Sequence, residues 1–546
     1  MSVINRKRPR GFSDYKESYN YDLDKKDYYQ VFEDIEVDED DDLIILEERN
    51  LQDFKITRPK RNNSDSILNF DRDSHEAFNL YNVNYISSNS LTFNGMYDKK
   101  QRTNSLPQLP QVKCNYFKIP ENYILSQNKI GNIKTAIVPY NSNGPPCDDK
   151  NGHYIIEPNS PFTERYMIIR LLGQGTFGKV VECYDRVNNE NVAIKIIRNI
   201  PKYKDAAKIE LRILSTLKKF DDKNLNHCIH LRQCFEFRGH ICIVTDLLKI
   251  SLYDFLENNH FIPFPGSQIQ AVSKQLIRST TFLHDLNLIH TDLKPENILL
   301  YDDSFIKKPL KSQTLINSFM KLSNVTNPKK LPRTSQVLKN PSIQIIDFGS
   351  AIFNDEYHSS IVSTRHYRAP EIVLGTGWSF PCDMWSIGCI MVELIIGEPL
   401  FKTHDNLEHL AMIEKFVGYP IDKSIIERSK QCDNECGIQY FDDNDLSLMF
   451  PRSDTPAQFI NNVNQLNRLD FFISNRIGLK INFDYTLNYN YDQNKSVINF
   501  GNFTFWWFLI DLLKCLFVID PERRISAEEA MNHPWFNLGI EDEGTI

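Results

Sequence analysis

The alternation of apolar and polar positions divides the chain into two kinds of region, and the change comes near residue 160. After it, short runs rich in β-branched residues predict the strands "YMIIRLLG" (166–173), "VVECYD" (180–185), "NVAIKIIR" (191–198) and "HICIVTDLL" (240–248). Apolar residues at helical spacing predict long helices over 206–220, 267–286 and 380–397. This order predicts an α+β fold, with a strand-rich small lobe followed by a helix-rich large lobe.

Residues 1–150 differ from the rest, because they carry no long periodic apolar segment and are rich in Asn, Asp, Ser, Lys and Tyr. An acidic block at 33–42 lies between the basic clusters "RKRPR" (6–10) and "RPKR" (58–61). Such a composition predicts a disordered tail. Each basic cluster is interpreted either as a solvated charge run or as a nuclear-import signal.

Composition narrows the class of protein. The 546 residues are 41% hydrophobic and 25% charged, with a net charge of −8, which indicates neither a nucleic-acid-binding nor a membrane protein. The most apolar run, 503–520, is interrupted by Asp511 and Lys514, so we expect a buried helix there rather than a membrane span. The 11 cysteines are scattered without a C-x-x-C pair, which favours reduced thiols over a disulfide framework or a zinc site. The N-terminal residues lack the apolar stretch of a signal peptide, so a cytoplasmic and nuclear location is expected.

The glycine run "GQGTFGKVVE" (173–182) is the first candidate for chemistry. A dinucleotide-binding loop would be followed by a helix, and a Walker loop would end in G-K-[ST], but here a strand follows and that ending is absent. A glycine-rich hairpin between two strands is typical of a flap over ATP phosphates. Gly173, Gly175 and Gly178 would let backbone amides approach the phosphates, and Val180 would cover the adenine.

Further motifs follow in order along the chain. They are "VAIK" with Lys195, Glu210 in the next predicted helix, "HTDLKPENILL" (290–300), "DFG" (347–349) and "APE" (369–371). Together with the glycine run they match the signature set of protein kinases, and chance agreement of the whole set is negligible. The set implies that ATP and Mg²⁺ bind in this lobe pair.

Each motif residue has an expected role in phosphoryl transfer, which requires positioning and charge neutralisation. Lys195, paired with Glu210, would hold the α and β phosphates. Asp347 and Asn297 are the expected Mg²⁺ ligands, since both offer hard oxygen atoms.

The remaining active-site residues act on the substrate side. Asp292 would accept the proton of the substrate hydroxyl, and Lys294 would contact the γ-phosphate, as in Ser/Thr-type kinases. Thr364, seven residues before Glu371, would contact both of them.

Other residues are assigned to the adenine pocket or to structural contacts. The expected pocket residues are Leu172, Ala193, Thr245 and Leu248, in addition to Val180. Thr245 would lie at the back of the pocket, where its small side chain admits bulky inhibitors that Thr245→Met would exclude. Glu371 is expected to pair with Arg524, Asp383 to hold the catalytic-loop backbone, and His290 to stack on Phe348.

Longer matches make the resemblance specific. "HTDLKPEN", "DFGSA", "VSTRHYRAPEIVLGTGWSFPCDMWSIGC" (362–389), "THDNLEHLAMIEKFVG" (403–418) and "DDKNGHYIIEPNSPFTERY" (148–166) resemble the LAMMER (CDC-like) dual-specificity kinases of the CMGC group. The naming motif of that family departs here at Ile413 and Lys415, and a Lys for an Arg puts the role of this helix in doubt.

The resemblance implies a bilobal protein kinase fold and sets the domain boundaries. We expect a kinase domain at 151–538, with the small lobe at about 160–248, the large lobe at about 249–538, insertions at about 301–340 and 420–500, and a C-terminal tail at 539–546. It also implies transfer to Ser and Thr of basic, Arg/Ser-rich proteins such as splicing factors, with Tyr autophosphorylation, by a monomeric enzyme. A pseudokinase scaffold and a related kinase with Pro-directed specificity are the alternatives.

Two features bear on regulation. Thr291 stands where most kinases have an arginine that binds a phosphorylated activation loop, so we expect basal activity without a phosphate at that place. Arg365 and Arg368 offer another route for an anion. In the tail, "RTNSLP" (102–107) has the R-x-x-S-x-P spacing of a 14-3-3 ligand centred on Ser105, with an ordinary polar segment as the simpler interpretation.

Overall fold

The computed structural model describes residues 135–141, 144–309, 334–430, 437–479, 481, 500–542 and 544. Ser105, both basic clusters, the acidic block and most of the predicted tail lie outside the described residues. So does the central part of the first insertion, 310–333.

A single sheet forms the small lobe. Its strands are β1 (Ala136–Ile137), β2 (Ser160–Pro161), β3 (Tyr166–Gln174), β4 (Gly178–Asp185), β5 (Glu190–Ile197), β6 (Leu231–Phe237) and β7 (His240–Asp246), in the spatial order β1-β6-β7-β5-β4-β3-β2. All neighbours are antiparallel except β1 and β6. Alternation along β5 buries Val192, Ile194 and Ile196 on one face, which leaves Ala193 and Lys195 on the other face, toward the cleft.

Helix α1 (Pro201–Phe220) packs on the cleft side of this sheet. Its buried side chains Leu211, Leu214 and Leu217 follow helical spacing, and the same stripe carries Glu210 into the interior. The helix begins five residues before the predicted start at 206. Pro201 occupies its first turn, where a missing N–H costs nothing, and that polar turn carries no apolar signal.

Helices make up most of the large lobe. They are α2 (Leu252–Asn258), α3 (Gly266–Asp285), α4 (Pro370–Leu374), α5 (Pro381–Ile396), α6 (Asn406–Val417), α7 (Lys423–Lys430), α8 (Ala457–Gln465), α9 (Leu469–Ile477), α10 (Phe500–Leu516) and α11 (Ala527–Met531). Short 3₁₀ turns cover Pro295–Asn297, Arg365–Tyr367, Ile438–Tyr440 and Pro534–Asn537. Helix α5 is buried along nearly its whole length and forms the centre of the lobe. Around it pack the aromatic rings of Phe401, Phe416 and Phe517.

Short strand pairs line the cleft edge of the large lobe. They are β8 (Leu288–Ile289) with β13 (Ile352–Phe353), and β9 (Ile298–Leu300) with β12 (Ile343–Ile345). Most of the apolar run at 503–520 lies in α10, which ends at Leu516 and contacts α5. No helix among the described residues is long and apolar enough to cross a membrane.

The predicted insertions contain regular elements of their own. In the first, β10 (Phe305–Pro309) and β11 (Thr334–Leu338) form an antiparallel pair at the edge of the undescribed part. In the second lie α7, α8 and α9. These helices have only eight or nine residues each, so periodicity gives little signal for them.

Residues 135–141 and 144–150 pack on the small lobe, although the predicted tail extends to 150. Ala136 and Ile137 pair with β6, and Asp148 contacts the buried His240 of β7. The two ring nitrogens of His240 lie 2.6 Å from Asp148 Oδ1 and 2.6 Å from the carbonyl oxygen of Ile197. This contact attaches the segment before the kinase motifs to the sheet.

The eight described cysteines are free thiols: Cys147, Cys183, Cys228, Cys234, Cys242, Cys382, Cys389 and Cys515. Burial raises the pKa of every one of them, to about 11 at Cys147 and to about 12 at Cys183 and Cys515. These thiols therefore stay protonated at neutral pH.

Candidate active site

Strand register brings the expected nucleotide-binding residues onto one face of the small-lobe sheet. Val180 pairs with Gly173 on one side and with Lys195 on the other, and Ala193 pairs with Thr245. Residues directly opposite each other in a sheet point to the same face. Val180, Ala193, Lys195 and Thr245 therefore share the face that Lys195 presents to the cleft.

Leu172 and Leu248 lie at the two sides of this face. Leu172 belongs to β3, and Leu248 follows β7 in the segment that joins the lobes, where it packs against the large-lobe core. Both side chains are partly buried.

The glycines of the β3–β4 hairpin have two different reasons for lacking a side chain. A Cβ at Gly173 or Gly175 would meet nothing within 4 Å, so the space beside them is open to a ligand. A Cβ at Gly178 would lie 2.2 Å from the carbonyl oxygen of Ile196. Gly178 is thus required by the close approach of β4 and β5, in contrast to the phosphate role expected for all three.

Lys195 joins both lobes through two carboxylates. Its Nζ lies 2.8 Å from both oxygens of Glu210 and 3.0 Å from Asp347 Oδ1. Burial by itself would lower the pKa of Lys195, but Asp347 and Glu210 outweigh it and raise the pKa above its ordinary value. The same cation lowers the pKa of Asp347 to about 2. Lys195 is therefore charged and Asp347 ionised at neutral pH.

Asp292 is held by a lysine and a threonine. Lys294 Nζ donates to Asp292 Oδ2 at 2.6 Å, and the Thr364 hydroxyl donates to Oδ1 at 2.7 Å. Thr364 also accepts from Lys294 at 2.9 Å, which closes a triangle. Burial would raise the pKa of Asp292, but Lys294 and Thr364 outweigh it and lower the pKa. The side chain is thus an ionised, fixed proton acceptor at the cleft.

Two oxygen atoms beside this triangle suit a hard cation. The amide nitrogen of Asn297 donates to the Asp292 carbonyl oxygen at 2.9 Å. This hydrogen bond fixes the orientation of the amide group and leaves its oxygen atom, Oδ1, available. Asp347 uses Oδ1 for Lys195, and its side chain is 43% exposed. Among the described residues no hydrogen-bond donor reaches Asn297 Oδ1 or Asp347 Oδ2. Carboxylate and amide oxygens are ligands that Mg²⁺ accepts, so the residues fit this ion.

The side chain of Asp383 holds the backbone of the catalytic loop in place. Its carboxylate accepts from the backbone N–H groups of His290 and Thr291, both at 2.9 Å, and lies 3.1 Å from His284 Nε2. Thr291 has φ +66° and Asp347 has φ +62°, which is the left-handed region that side chains rarely adopt. Such strained backbone persists only where surrounding contacts enforce it, as they do here.

The His290 and Phe348 rings meet edge to face rather than stacked, with centroids 5.1 Å apart and planes 61° apart. Both residues are buried, between the catalytic loop and the segment after Asp347. The contact joins two motifs, although its geometry differs from the expected stacking.

Glu371 and Arg524 form a doubly hydrogen-bonded ion pair, with distances of 2.7 and 2.8 Å. Both side chains are completely buried. Arg524 also donates to the carbonyl oxygens of Pro381, Val518 and Ile519. This pair fastens the end of the activation segment to the interior of the large lobe.

Different contacts are made by the three residues near the activation segment that bear on regulation, which are Thr291, Arg365 and Arg368. The Thr291 hydroxyl donates to the carbonyl oxygen of Ser350 at 2.8 Å. Arg365 donates to Asn406 Oδ1 at 2.7 Å. Arg368 is 8% exposed, and its guanidinium donates to the carbonyl oxygens of Val362 and Ser363. Burial lowers the pKa of the group to about 10. Arg368 is thus used by the segment's own backbone rather than offered to an external anion.

The sequence did not predict one contact between the small lobe and the activation segment. Arg212 in α1 pairs with Glu356 in the activation segment and lies over the Phe353 ring. It connects the helix that carries Glu210 to the segment that begins with Asp347. The sequence gives little indication of this ion pair, because Arg and Glu are common surface residues and these two are 144 positions apart.

Helix α6 carries the departures from the family motif, Ile413 and Lys415. Ile413 is fully buried, and Lys415 is exposed. Glu408 of the same motif is also buried and accepts from Asn462 at 2.9 Å and from Thr403. Most residues of the motif pack in the interior of the large lobe, whereas position 415 is exposed. A Lys at this position therefore disturbs no buried pair.

The family model described as "Protein kinase domain" matches residues 166–536. The chain belongs to the protein kinase family. This kinase is 39% identical to the dual specificity protein kinase KNS1 of Saccharomyces cerevisiae, over 82% of this chain and 75% of KNS1. It is 47% identical to the dual specificity protein kinase lkh1 of Schizosaccharomyces pombe, over 72% of this chain and 50% of lkh1.

A solved structure agrees with the fold. The crystal structure of the kinase domain of PF14_0431 has a TM-score of 0.58 and 31% identity to this kinase, and the match covers 71% of this chain and all of that one. The relatives also include the dual specificity protein kinase CLK1 of Homo sapiens, at 37% identity over 72% of this chain and 70% of CLK1. The LAMMER (CDC-like) resemblance is therefore confirmed. The protein is an ATP-dependent Ser/Thr protein kinase, which disfavours the pseudokinase alternative.

Proposed function

We propose that this kinase transfers the γ-phosphoryl group of ATP with Asp292 as the proton acceptor. The observation that carries this is the triangle of Asp292, Lys294 and Thr364, in which an ionised carboxylate is fixed at the cleft. Phosphoryl transfer demands an in-line approach of the hydroxyl and neutralisation of charge rather than covalent help from the protein. Asp292 orients the hydroxyl and takes its proton, and Lys294 places a positive charge beside the transferred group.

Lys195, Asn297 and Asp347 complete the nucleotide site. Lys195 is fixed by Glu210 and presents its charge to the α and β phosphates. Asn297 and Asp347 would hold Mg²⁺, which when bound neutralises charge on the phosphate oxygens. Gly173 and Gly175 leave the hairpin open above the nucleotide.

Activity without an activation-loop phosphate is part of the proposal. A hydroxyl at Thr291 cannot make the charge-assisted pair that a phosphate needs, and here it donates to Ser350 instead. The segment is also held by Arg212 to Glu356 and by Arg524 to Glu371. These contacts use groups present in the unmodified chain.

Treatment of the purified kinase with a phosphatase tests this claim. We expect the treated enzyme, assayed at once on a Ser peptide, to keep at least about half of its initial rate, because no phosphate is needed to order the segment. Enzyme treated with heat-inactivated phosphatase is the control. Complete loss of activity would contradict the claim.

We infer that the substrates are basic, Arg/Ser-rich proteins such as splicing factors. The family resemblance supports this inference, and a net charge of −8 is compatible with attraction of basic partners. In line with the resemblance, the kinase acts as a monomer in the nucleus and cytoplasm and also phosphorylates Tyr of its own chain. Ser105, once phosphorylated, would offer a 14-3-3 ligand, and pull-down that survives Ser105→Ala would exclude it.

A peptide set decides the substrate class. Peptides that share a central Ser and differ only in flanking Arg, a following Pro, or neither are assayed with Mg-ATP. We expect kcat/KM to be highest for the Arg-flanked series, and the Asp292→Ala protein serves as the blank. Equal rates for all three series would refute the substrate claim, and preference for Pro would support the Pro-directed alternative.

A further inference from the structure

The activation segment between Asp347 and Glu371 contains two tyrosines with opposite surroundings. Tyr357 is 77% exposed, the highest value among the large apolar and aromatic side chains of the described residues. Tyr367 is 1% exposed, and its hydroxyl donates to Glu393 Oε2 at 2.7 Å. A phosphoryl group can reach the first hydroxyl, while the second is sealed inside the large lobe.

The backbone on both sides of Tyr357 is anchored. On the N-terminal side, Asn287 donates to Asp355 at 3.1 Å and Arg212 pairs with Glu356. On the C-terminal side, the His358 ring stacks on Trp378, with centroids 4.3 Å apart and planes 19° apart. The exposed ring is therefore presented from a fixed stretch of chain.

The same anchors keep Tyr357 away from its own cleft. Strand β13, which ends at Phe353, pairs with β8, and Asn354 N donates to the carbonyl oxygen of Asn287. The position facing Asp292 is occupied by Thr364, seven residues further along. To enter its own cleft, Tyr357 would have to break the contacts of Asp355, Glu356 and His358.

We propose that Tyr357 is a phosphorylation site of this kinase and that a second copy of the chain modifies it. The inference rests on the proposed Tyr autophosphorylation and names its site. The Tyr357 oxygen forms a bond to the γ-phosphorus of ATP bound in the other copy, and the bond from that phosphorus to the β,γ-bridging oxygen breaks, with its electron pair leaving on ADP. The phenolic proton passes to Asp292 of the copy that holds the ATP and then to water.

Two complementary variants isolate this transfer. The acceptor is the full chain with Asp292→Ala, which lacks the proton acceptor, and the donor is the full chain with Tyr357→Phe, which is active but has no Tyr at 357. Both are dephosphorylated, mixed with Mg-ATP and an Arg-flanked Ser peptide, and digested for mass spectrometry. Phosphate on Tyr357 above the level found in the acceptor alone must come from a different copy.

We expect phosphate on Tyr357 in the mixture at a level at least tenfold above the acceptor alone, and none on Tyr367. Unmodified Tyr357 while the donor phosphorylates the Ser peptide would overturn the inference and leave the kinase function standing. A donor and a wild-type enzyme that both leave the Ser peptide unmodified would overturn the proposed function itself, and the inference with it.

Discussion

Two groups of paired charges in this kinase differ in exposure: one lies in the cleft between the lobes and the other lies inside the large lobe. In the cleft, Lys195 and Asp347 pair while 20% and 43% of their side chains remain exposed. In the large lobe, Glu371 and Arg524 pair with no exposure at all. The cleft pairs remain accessible to a ligand, while the buried pair can serve only the folded state. The same chemistry thus supports catalysis in one place and stability in the other.

The largest effect should come from the centre of the cleft group. Asp292→Ala removes the proton acceptor, and we expect kcat to fall by about 10²–10⁴-fold, the usual contribution of a general base. Steady-state kinetics on the Ser peptide measure it, with the exposed Asp443→Ala as the matched control. A fall of less than about threefold would place the chemistry elsewhere.

The buried group should respond in stability. Arg524→Met leaves Glu371 buried without its partner, which costs about 3–5 kcal/mol of unfolding free energy. The neighbouring Arg523, 51% exposed and 3.6 Å from Asp520, gives the control Arg523→Ala, expected to cost less than about 1 kcal/mol. Urea unfolding of both variants measures the difference, and equal losses would erase the distinction between the two groups.

Glu210→Gln tests whether the cleft pair positions Lys195. The carboxylate bonds to a charged group, an interaction worth about 1.5–3 kcal/mol, so kcat/KM for ATP should fall by about 10- to 100-fold. Asp205→Asn, in an exposed pair with Lys208 on the same helix, should change it less than about twofold. If both variants behave alike, the bridge from Lys195 to Glu210 has no special role.

A smaller effect is expected at Asp185, which accepts two bonds from Arg165 at 2.8 and 2.7 Å in the small lobe. Arg165 lowers the pKa of Asp185 to about 2. Because the folded pKa lies below the unfolded value of about 4, the pair stabilises the fold above pH 4 and this contribution is lost as pH falls toward 2. Asp185→Asn should cost about 1 kcal/mol in urea unfolding at pH 7 and at pH 5, and less at pH 3. A cost that grows toward low pH would contradict the assignment.

The sequence predicted four of the seven described small-lobe strands, β3, β4, β5 and β7, because apolar and β-branched residues mark them, and it did not predict β1, β2 or β6. It predicted the motif residues of the cleft because their spacing is strict. It also anticipated the buried pair of Glu371 with Arg524, through the family pattern. It did not predict the contacts of Arg212 with Glu356 or of Asp148 with His240. These join residues 144 and 92 positions apart through side chains that are individually unremarkable. The β10–β11 pair was missed because its apolar residues, Phe305 with Ile306 and Val337 with Leu338, stand side by side in each strand, so no alternation with polar residues marks it.

The protonated thiols of the interior have a practical consequence. The thiolate is the form of cysteine that attacks alkylating reagents, so buried cysteines such as Cys183, Cys242 and Cys389 should stay unlabelled as long as the chain is folded. The rate at which they are labelled would then report local unfolding, of the small lobe at Cys183 and Cys242 and of the large lobe at Cys389. A single time course of alkylation would show which lobe opens more often, without an engineered label.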